Sequence, residues 1–217
     1  MDDADTDDRE LMLRFARTGD ERAFEVLYQR HNAPLQRYCE RMLRVPSAAE
    51  DVVHETWTRL VEKADRYEPT AKFNTFLYCI ARNLAIDRLR ALERRPEGNG
   101  EPEVEQAGTH SPFTRRTPGP VNPHRTSFPE RDAGRMRLRE LLDEALSQLP
   151  DNQREVFVLH HEGELSLQEI ADVLGQPRET VKSRYRYALG KIRDALPLDD
   201  LALALGRSGG DAPTSRA

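Results

Sequence analysis

The chain has 217 residues, with 33 Lys or Arg against 38 Asp or Glu and a formal net charge of -5. Only 37% of its residues are apolar and 6% aromatic, which argues against one compact core and for two small helical bodies with narrow apolar stripes. No apolar run approaches the roughly eighteen residues of a membrane span, and the N-terminus lacks the regions of a secretory signal.

A cytoplasmic protein is therefore expected. Cys39 and Cys79 stand far apart in helical apolar patterns, so two reduced cysteines are expected, with no disulfide framework, no metal site and no cofactor. Net acidity counts against nucleic-acid binding unless the charges are segregated, and here they are. Asp2, Asp3, Asp5, Asp7, Asp8 and Glu10 form an acidic head, whereas Arg82, Arg88, Arg90, Arg94 and Arg95 crowd the end of one segment.

Leu11, Leu13, Phe15 and Ala16 begin a helical pattern that Gly19 ends, and Asp20 caps the next, which carries Phe24, Leu27, Tyr28 and His31. Pro34 is expected to bend or restart that helix before Leu35, Tyr38, Cys39, Met42 and Leu43 repeat at helical spacing. Ser47-Ala-Ala-Glu50 reads as a capping box opening a third helix. Val52, Val53, Thr56, Leu60 and Val61 then face a core, with Asp51, Glu55, Arg59 and Glu62 on another side. Such an acidic stripe is ordinarily a solvated face. Trp57 beside it is either an interface anchor or the domain's one core indole.

Residues 65–72 lack helical periodicity and contain Pro69, so a loop follows. The helix from Phe73 to about Glu93 places Phe76, Leu77, Ile80, Ala81, Leu84 and Leu89 on its buried side. It exposes Lys72, Asn74, Tyr78, Arg82, Asn83, Asp87, Arg88 and Arg90. Arg, Asn and aromatic groups together contact phosphate, hydrogen-bond base edges and stack on unpaired bases. The plainer alternative is a solvated basic helix end that matches the helix dipole. From Arg95 to about Gly134 repeated Pro, Gly, Ser and Thr erase the periodicity, which predicts a flexible tether. Fully extended, it would reach on the order of 100 Å.

Leu138, Leu141, Leu142, Ala145, Leu146 and Leu149 form an amphipathic helix stopped by Pro150, and Asp151 is expected to cap another holding Val156, Phe157 and Leu159. Ser166 with Glu169 is a further capping box. Leu167, Ile170, Ala171 and Leu174 recur behind it, Gly175 stops the helix, and Pro177 suits the first turn of the next. That next helix sets Arg178, Lys182, Arg184, Arg186, Lys191 and Arg193 against an apolar stripe of Val181, Tyr185, Ala188, Leu189 and Ile192. This punctuation spells a helix-turn-helix whose basic face suits the DNA major groove. A solvated charged helix on an ordinary bundle is the bland alternative. Beyond Pro197 a short helical stretch and a fraying tail are expected.

Taken together, the residues resemble a bacterial RNA polymerase sigma factor of the extracytoplasmic-function type. Asp51-Val-Val-His-Glu-Thr-Trp57 looks like that family's polymerase-binding helix, and Phe76 to Arg90 looks like its promoter-melting helix. Leu149-Pro-Asp-Asn-Gln-Arg-Glu-Val-Phe157, Glu169-Ile-Ala and Thr180-Val-Lys-Ser-Arg184 look like its fourth conserved region. The resemblance implies an all-α chain of two helical domains joined by a long Pro-rich flexible linker, the second domain containing the helix-turn-helix. The boundaries are 1–95, 96–134 and 135–196, with a C-terminal extension over 197–217. It further implies that Asp51, His54, Glu55 and Trp57 meet core RNA polymerase. Arg66, Lys72, Phe73, Arg82, Asn83 and Arg88 would hold the minus-10 element, and Arg178, Thr180, Lys182, Ser183, Arg184, Arg186 and Tyr187 would read the minus-35 element. Core polymerase, promoter DNA and an anti-sigma factor are the implied partners.

His54 stands where the family usually has Gln, Trp57 where it has Phe, and Phe76 at a position commonly Trp. An enzyme finds little support in the sequence. His54-Glu55 is followed by Thr58 rather than the second His of a zinc-protease helix, and no Gly-rich phosphate loop or nucleophile elbow occurs. A plain helix-turn-helix regulator would read duplex DNA without needing a second basic and aromatic helix.

Overall fold

The computed structural model describes residues 6–67, 72–94 and 129–196, with side chains from residue 136 onward in the last stretch. The expected loop centre at Pro69, the tether over 96–128 and the tail from Pro197 lie outside the described residues. Among the described residues every regular element is helical.

In the first body, α1 (Asp8–Thr18) ends at Gly19, whose φ of 67° closes the helix by a left-handed turn. Asp20 accepts from the amides of Arg22 and Ala23 and so starts α2 (Glu21–Leu43). Pro34 neither stops nor restarts α2, which runs through it. Proline withholds one amide and disturbs the preceding turn, at about 3 kcal/mol. Leu27, Leu35, Tyr38 and Cys39 are fully buried on either side of it, and each large apolar side chain contributes about 1.5–3 kcal/mol. Burial outweighs the break. Arg44 ends α2 in the left-handed region at φ 58° without a glycine.

The expected capping box at Ser47 and Glu50 is absent. Pro46 occupies the first turn of α3 (Pro46–Glu62) behind Val45, so the helix begins one residue ahead of Ser47 and that hydroxyl falls inside it. Trp57 turns inward with Val52, Val53, Thr56 and Leu60, whereas Val61, expected inside, is 41% exposed. A short 3-10 turn (Ala64–Arg66) leads on, and α4 (Phe73–Glu93) packs against both α2 and α3.

The second body comprises α5 (Pro129–Ser147), α6 (Asp151–His161), α7 (Leu167–Leu174) and α8 (Arg178–Ala195). Helix α5 begins at Pro129, ahead of the expected start near Arg135. Asp151 does not cap α6; Pro150 holds that place, and the Asp151 carboxylate instead accepts from Arg154 at 2.5 Å. Leu146, Leu149, Val156, Val158, Leu159, Leu165, Ile170 and Val181 form the interior. The two bodies meet where α2 and α4 face α5, α6 and α7.

Candidate nucleic-acid and polymerase interfaces

The turn of the helix-turn-helix keeps the expected capping box and glycine stop, while Pro177 stands at the N-cap of α8, just ahead of its first turn rather than within it. The Ser166 hydroxyl accepts from the Glu169 amide, the Glu169 carboxylate accepts from the Ser166 amide, and Gly175 closes α7 at φ 61°. Val181, Ala188 and Ile192 anchor α8 on the body beneath, which turns its opposite face to solvent. Arg178, Lys182, Arg186 and Tyr187 are exposed, and Thr180, Ser183 and Arg184 half-buried. Lys182 lies 3.7 Å from Glu179, and the Arg186 guanidinium sits 5.4 Å from the centre of the Tyr187 ring. Leu189, expected in the apolar stripe, is 41% exposed.

The residues proposed from sequence for minus-10 DNA do not share one open face. Arg66, Asn83 and Arg88 are exposed. Phe73 is buried, its ring 4.9 Å from that of His31. Lys72 lies 3.1 Å from Glu169, and the Nε of Arg82 donates to Glu155 at 2.8 Å. Both partners belong to the second body. Between these two cations, Asn74 donates to the Gly163 carbonyl at 2.9 Å and the Tyr78 hydroxyl to the Glu162 carbonyl at 3.0 Å. Tyr78, expected on the exposed side of α4, is buried because the α6–α7 turn covers it and Tyr38 packs edge-on against its ring at 5.2 Å. Burial, with Glu162 nearby, pushes the Tyr78 hydroxyl well above its ordinary range.

Sequence reasoning missed the groups that close this seam. Glu162 accepts from Arg37 at 2.6 Å and also pairs with Arg41, whose Nε reaches Asp143 at 3.0 Å. Arg44 donates to the Ser147 carbonyl at 2.7 Å. A Cβ on Gly163 would stand 2.6 Å from the Leu159 carbonyl oxygen and 3.3 Å from the Tyr78 ring, so the turn's close approach needs glycine. Burial raises the Glu169 carboxyl, but its bonds from Ser166 and the Lys72 cation outweigh that, and it titrates below its ordinary range.

On α3, Asp51 and His54 are exposed, and Glu55 is half-buried beside Arg59 at 2.7 Å. Asp51 accepts from Arg88 at 3.0 Å, which joins the candidate polymerase face to the candidate DNA face. Trp57 takes the core alternative. It is 5% exposed, its indole donates to Asn32 at 3.0 Å, and Phe24 and Tyr28 pack on it at 5.7 and 5.0 Å. At the start of α1, Asp8 accepts from Arg30 at 2.5 Å and lies 2.6 Å from His31, whose ring in turn packs at a tilt against that of Phe73. Cys39 is buried, its thiol pushed up to about 12 by burial, and Cys79 is half-buried; both are free. Among the described residues no helix is long and apolar enough to cross a membrane, and no group of three or more acidic, His or Cys side chains is placed to hold a metal ion.

Two described families match the chain in order. Sigma-70 region 2 covers residues 27–95, the span of α2 to α4. Sigma-70, region 4 covers residues 145–194, the span of the helix-turn-helix and the helix beneath it. The ECF RNA polymerase sigma factor SigW of Bacillus subtilis is 31% identical over 85% of this chain and 94% of its own. The ECF RNA polymerase sigma factor SigL of Mycobacterium tuberculosis is 34% identical over 82% and 90%. Among solved structures, CnrH in complex with the cytosolic domain of CnrY is 25% identical and superposes with a TM-score of 0.59 over 88% of this chain and 97% of that one. With both regions matched in order, and with relatives matched over nearly their whole length, this chain belongs to the ECF family of RNA polymerase sigma factors.

Proposed function

We propose that this sigma factor binds core RNA polymerase and directs promoter-specific initiation through three separate surfaces of its own chain. The carrying observation is the built helix-turn-helix. A doubly satisfied capping box and a left-handed Gly175 fix α8 so that Arg178, Lys182 and Arg186 face outward together. Side chains at the start of such a helix reach base edges in the major groove, and Arg and Lys there pair with guanine. Arg178, Thr180, Lys182, Ser183, Arg184, Arg186 and Tyr187 read the minus-35 duplex in this account.

Helix α4 and the segment before it capture the opened strand. Arg66, Lys72, Arg82 and Arg88 neutralise phosphates, and Asn83 offers an amide to an unpaired base. Phe73, being buried, acts by holding the start of α4 against His31. Asp51, His54 and Glu55 meet the polymerase, and Trp57 positions them from beneath by locking α3 to α2 through Asn32. Strand opening takes a few kcal/mol, offset by capture of the unstacked base. An anti-sigma factor is the expected negative partner.

The purified protein added to core polymerase is expected to start transcripts at promoters that core enzyme ignores. Tight duplex binding without any transcript would instead mark a plain helix-turn-helix regulator.

A further inference from the structure

We propose that the cavity walled by α2, α5 and α6 is a binding site for a small, multiply charged phosphate, with a diphosphate group as the chemistry that fits it. The cavity holds about 340 Å³, within the range of about 300–1,000 Å³ usual for small-molecule sites. Most such sites are apolar. This one is lined by five arginines, Arg37, Arg41, Arg44, Arg139 and Arg154, against the carboxylates of Glu40 and Asp143. None of its lining residues lies on α3, α4 or α8, which carry the proposed polymerase and DNA faces.

The arginines outnumber the acids that answer them. Arg37 and Arg41 share one carboxylate, Glu162, and the other acid that Arg41 reaches, Asp143, is well exposed. Arg154 pairs with Asp151, which is exposed too, and Arg44 donates to the Ser147 carbonyl, a neutral acceptor. Even with Glu162 and Asp151 counted beside Glu40 and Asp143, five guanidiniums face four carboxylates. A guanidinium does not shed its proton near neutrality, so only an anion relieves the excess.

Two features point to an anion from independent directions. Arg154 is 3% exposed, and its Nε is covered without a hydrogen-bond partner among the described residues. Burial, with the positive charge of Arg44 nearby, holds the Arg154 guanidinium below its ordinary range. An anion between the two removes the second cause. Arg44 itself ends α2 at φ 58°, in the left-handed region where glycine is the unstrained choice. That backbone brings a guanidinium to the exposed edge of the cavity, where Arg139 also stands.

Guanidiniums bind phosphate oxygens through paired donors. With arginines arriving from three helices, a diphosphate can be held at both phosphoryl groups at once, which a single sulfate cannot. Bound there, it would pin α2 to α5 and α6.

The test titrates inorganic pyrophosphate into the full chain at fixed ionic strength without divalent cations, read by isothermal titration calorimetry and by the thermal unfolding midpoint. One equivalent is expected to bind with a dissociation constant below about 1 mM and to raise the midpoint. Arg44→Gln with Arg139→Gln is expected to weaken binding about tenfold, the scale of one hydrogen bond to a charged group. Arg17→Gln with Arg22→Gln makes the same charge change at exposed positions outside the cavity and is expected to leave binding unchanged. Adenosine diphosphate separates the two sources of the group: tighter binding than pyrophosphate assigns an organic phosphate, equal or weaker binding the inorganic ion, and both support the site.

Absence of saturable binding, or equal losses in the two double variants, reduces the cavity to diffuse surface charge and overturns the proposal. Sulfate bound as tightly as pyrophosphate overturns the diphosphate assignment. A single-stranded oligonucleotide whose affinity falls as far as that of pyrophosphate in the cavity variant places these arginines on a nucleic-acid surface and overturns the proposal as well. Should the double variant fail to fold, Arg139→Glu at its exposed position takes its place, and an unchanged pyrophosphate affinity there overturns the site.

Discussion

Helices α4 and α8 are both amphipathic and both carry clustered arginine, yet the first half of α4 is covered on its polar side, whereas the basic face of α8 is open. Helix α8 packs along Val181, Ala188 and Ile192, with Tyr185 against Phe157 and His160, and leaves Arg178, Lys182, Arg186 and Tyr187 exposed. Helix α4 lies between two layers: Leu77, Ile80, Ala81 and Leu84 belong to the first body's core, while Lys72, Asn74, Tyr78 and Arg82 face the second. Charge clustering identifies a surface suited to an anion without saying which anion holds it. On α8 the place is open; on α4 it is taken by Glu155, Glu169 and two backbone carbonyls.

The largest expected effect tests whether the two bodies are separate enough for this contrast to mean anything. Trp57→Ala removes a buried ring together with its bond to Asn32, and about 3–5 kcal/mol of first-body stability should go with it, read by denaturant unfolding. Duplex binding through α8 should survive. If it disappears together with the first body, the two bodies unfold as one and the contrast fails.

Next in size is Arg184→Ala on α8. Loss of one well-placed guanidinium should weaken binding to a duplex selected by the protein itself by about 1–3 kcal/mol, read by anisotropy. Arg82→Ala should leave that duplex affinity unchanged, since Arg82 lies in the seam. Equal losses in the two variants would erase the distinction between the helices.

Ser166→Ala should lower the stability of the second body by about 1 kcal/mol, because the hydroxyl caps α7 and steadies Glu169. Thermal unfolding reads it. The same capping box is where the sequence was most legible: Ser166, Glu169, Gly175 and Pro177 act within a dozen residues, so their consequences follow from local chemistry alone. The seam is the opposite case. Tyr78 meets the Glu162 carbonyl across 84 positions, and helical periodicity puts Tyr78 on a polar face without revealing that a second body covers it. Trp57 shows the same limit, since the core reading was decided by Asn32, Phe24 and Tyr28, all on another helix. Ser47 and Glu50 had the right spacing for a cap but the wrong neighbour, Pro46.

A smaller, pH-dependent effect is expected where α1 meets α2. Burial raises the Asp8 carboxyl, but bonds from His31 and Arg30 outweigh it and hold it below the ordinary carboxylate range. A depressed folded-state value contributes stability that is present above the unfolded carboxylate range, about 4, and is lost as pH falls through the folded value. Glu169 has the same sign. The stability difference between the parent and Asp8→Asn should thus be full near neutrality and shrink below about pH 4. A difference that grows on acidification would reverse the assignment.

The smallest change in stability carries the sharpest functional distinction. Asp51 and Arg88 form an ion pair with both side chains well exposed, and such pairs contribute about 0–1 kcal/mol. Asp51→Lys with Glu55→Lys should therefore leave the unfolding transition within about 1 kcal/mol of the parent. Binding to core polymerase should nevertheless fall, because two carboxylates of the α3 face become cations. Duplex binding by α8 supplies the internal reference and should not move. Loss of polymerase binding with both other readings intact assigns the acidic stripe to the polymerase; unchanged polymerase binding makes it a solvated face. The pair has a second consequence for α4: Arg88 is freed from Asp51 in the same variant while Arg82 stays bound to Glu155, so any gain in single-strand affinity would come from outside the seam.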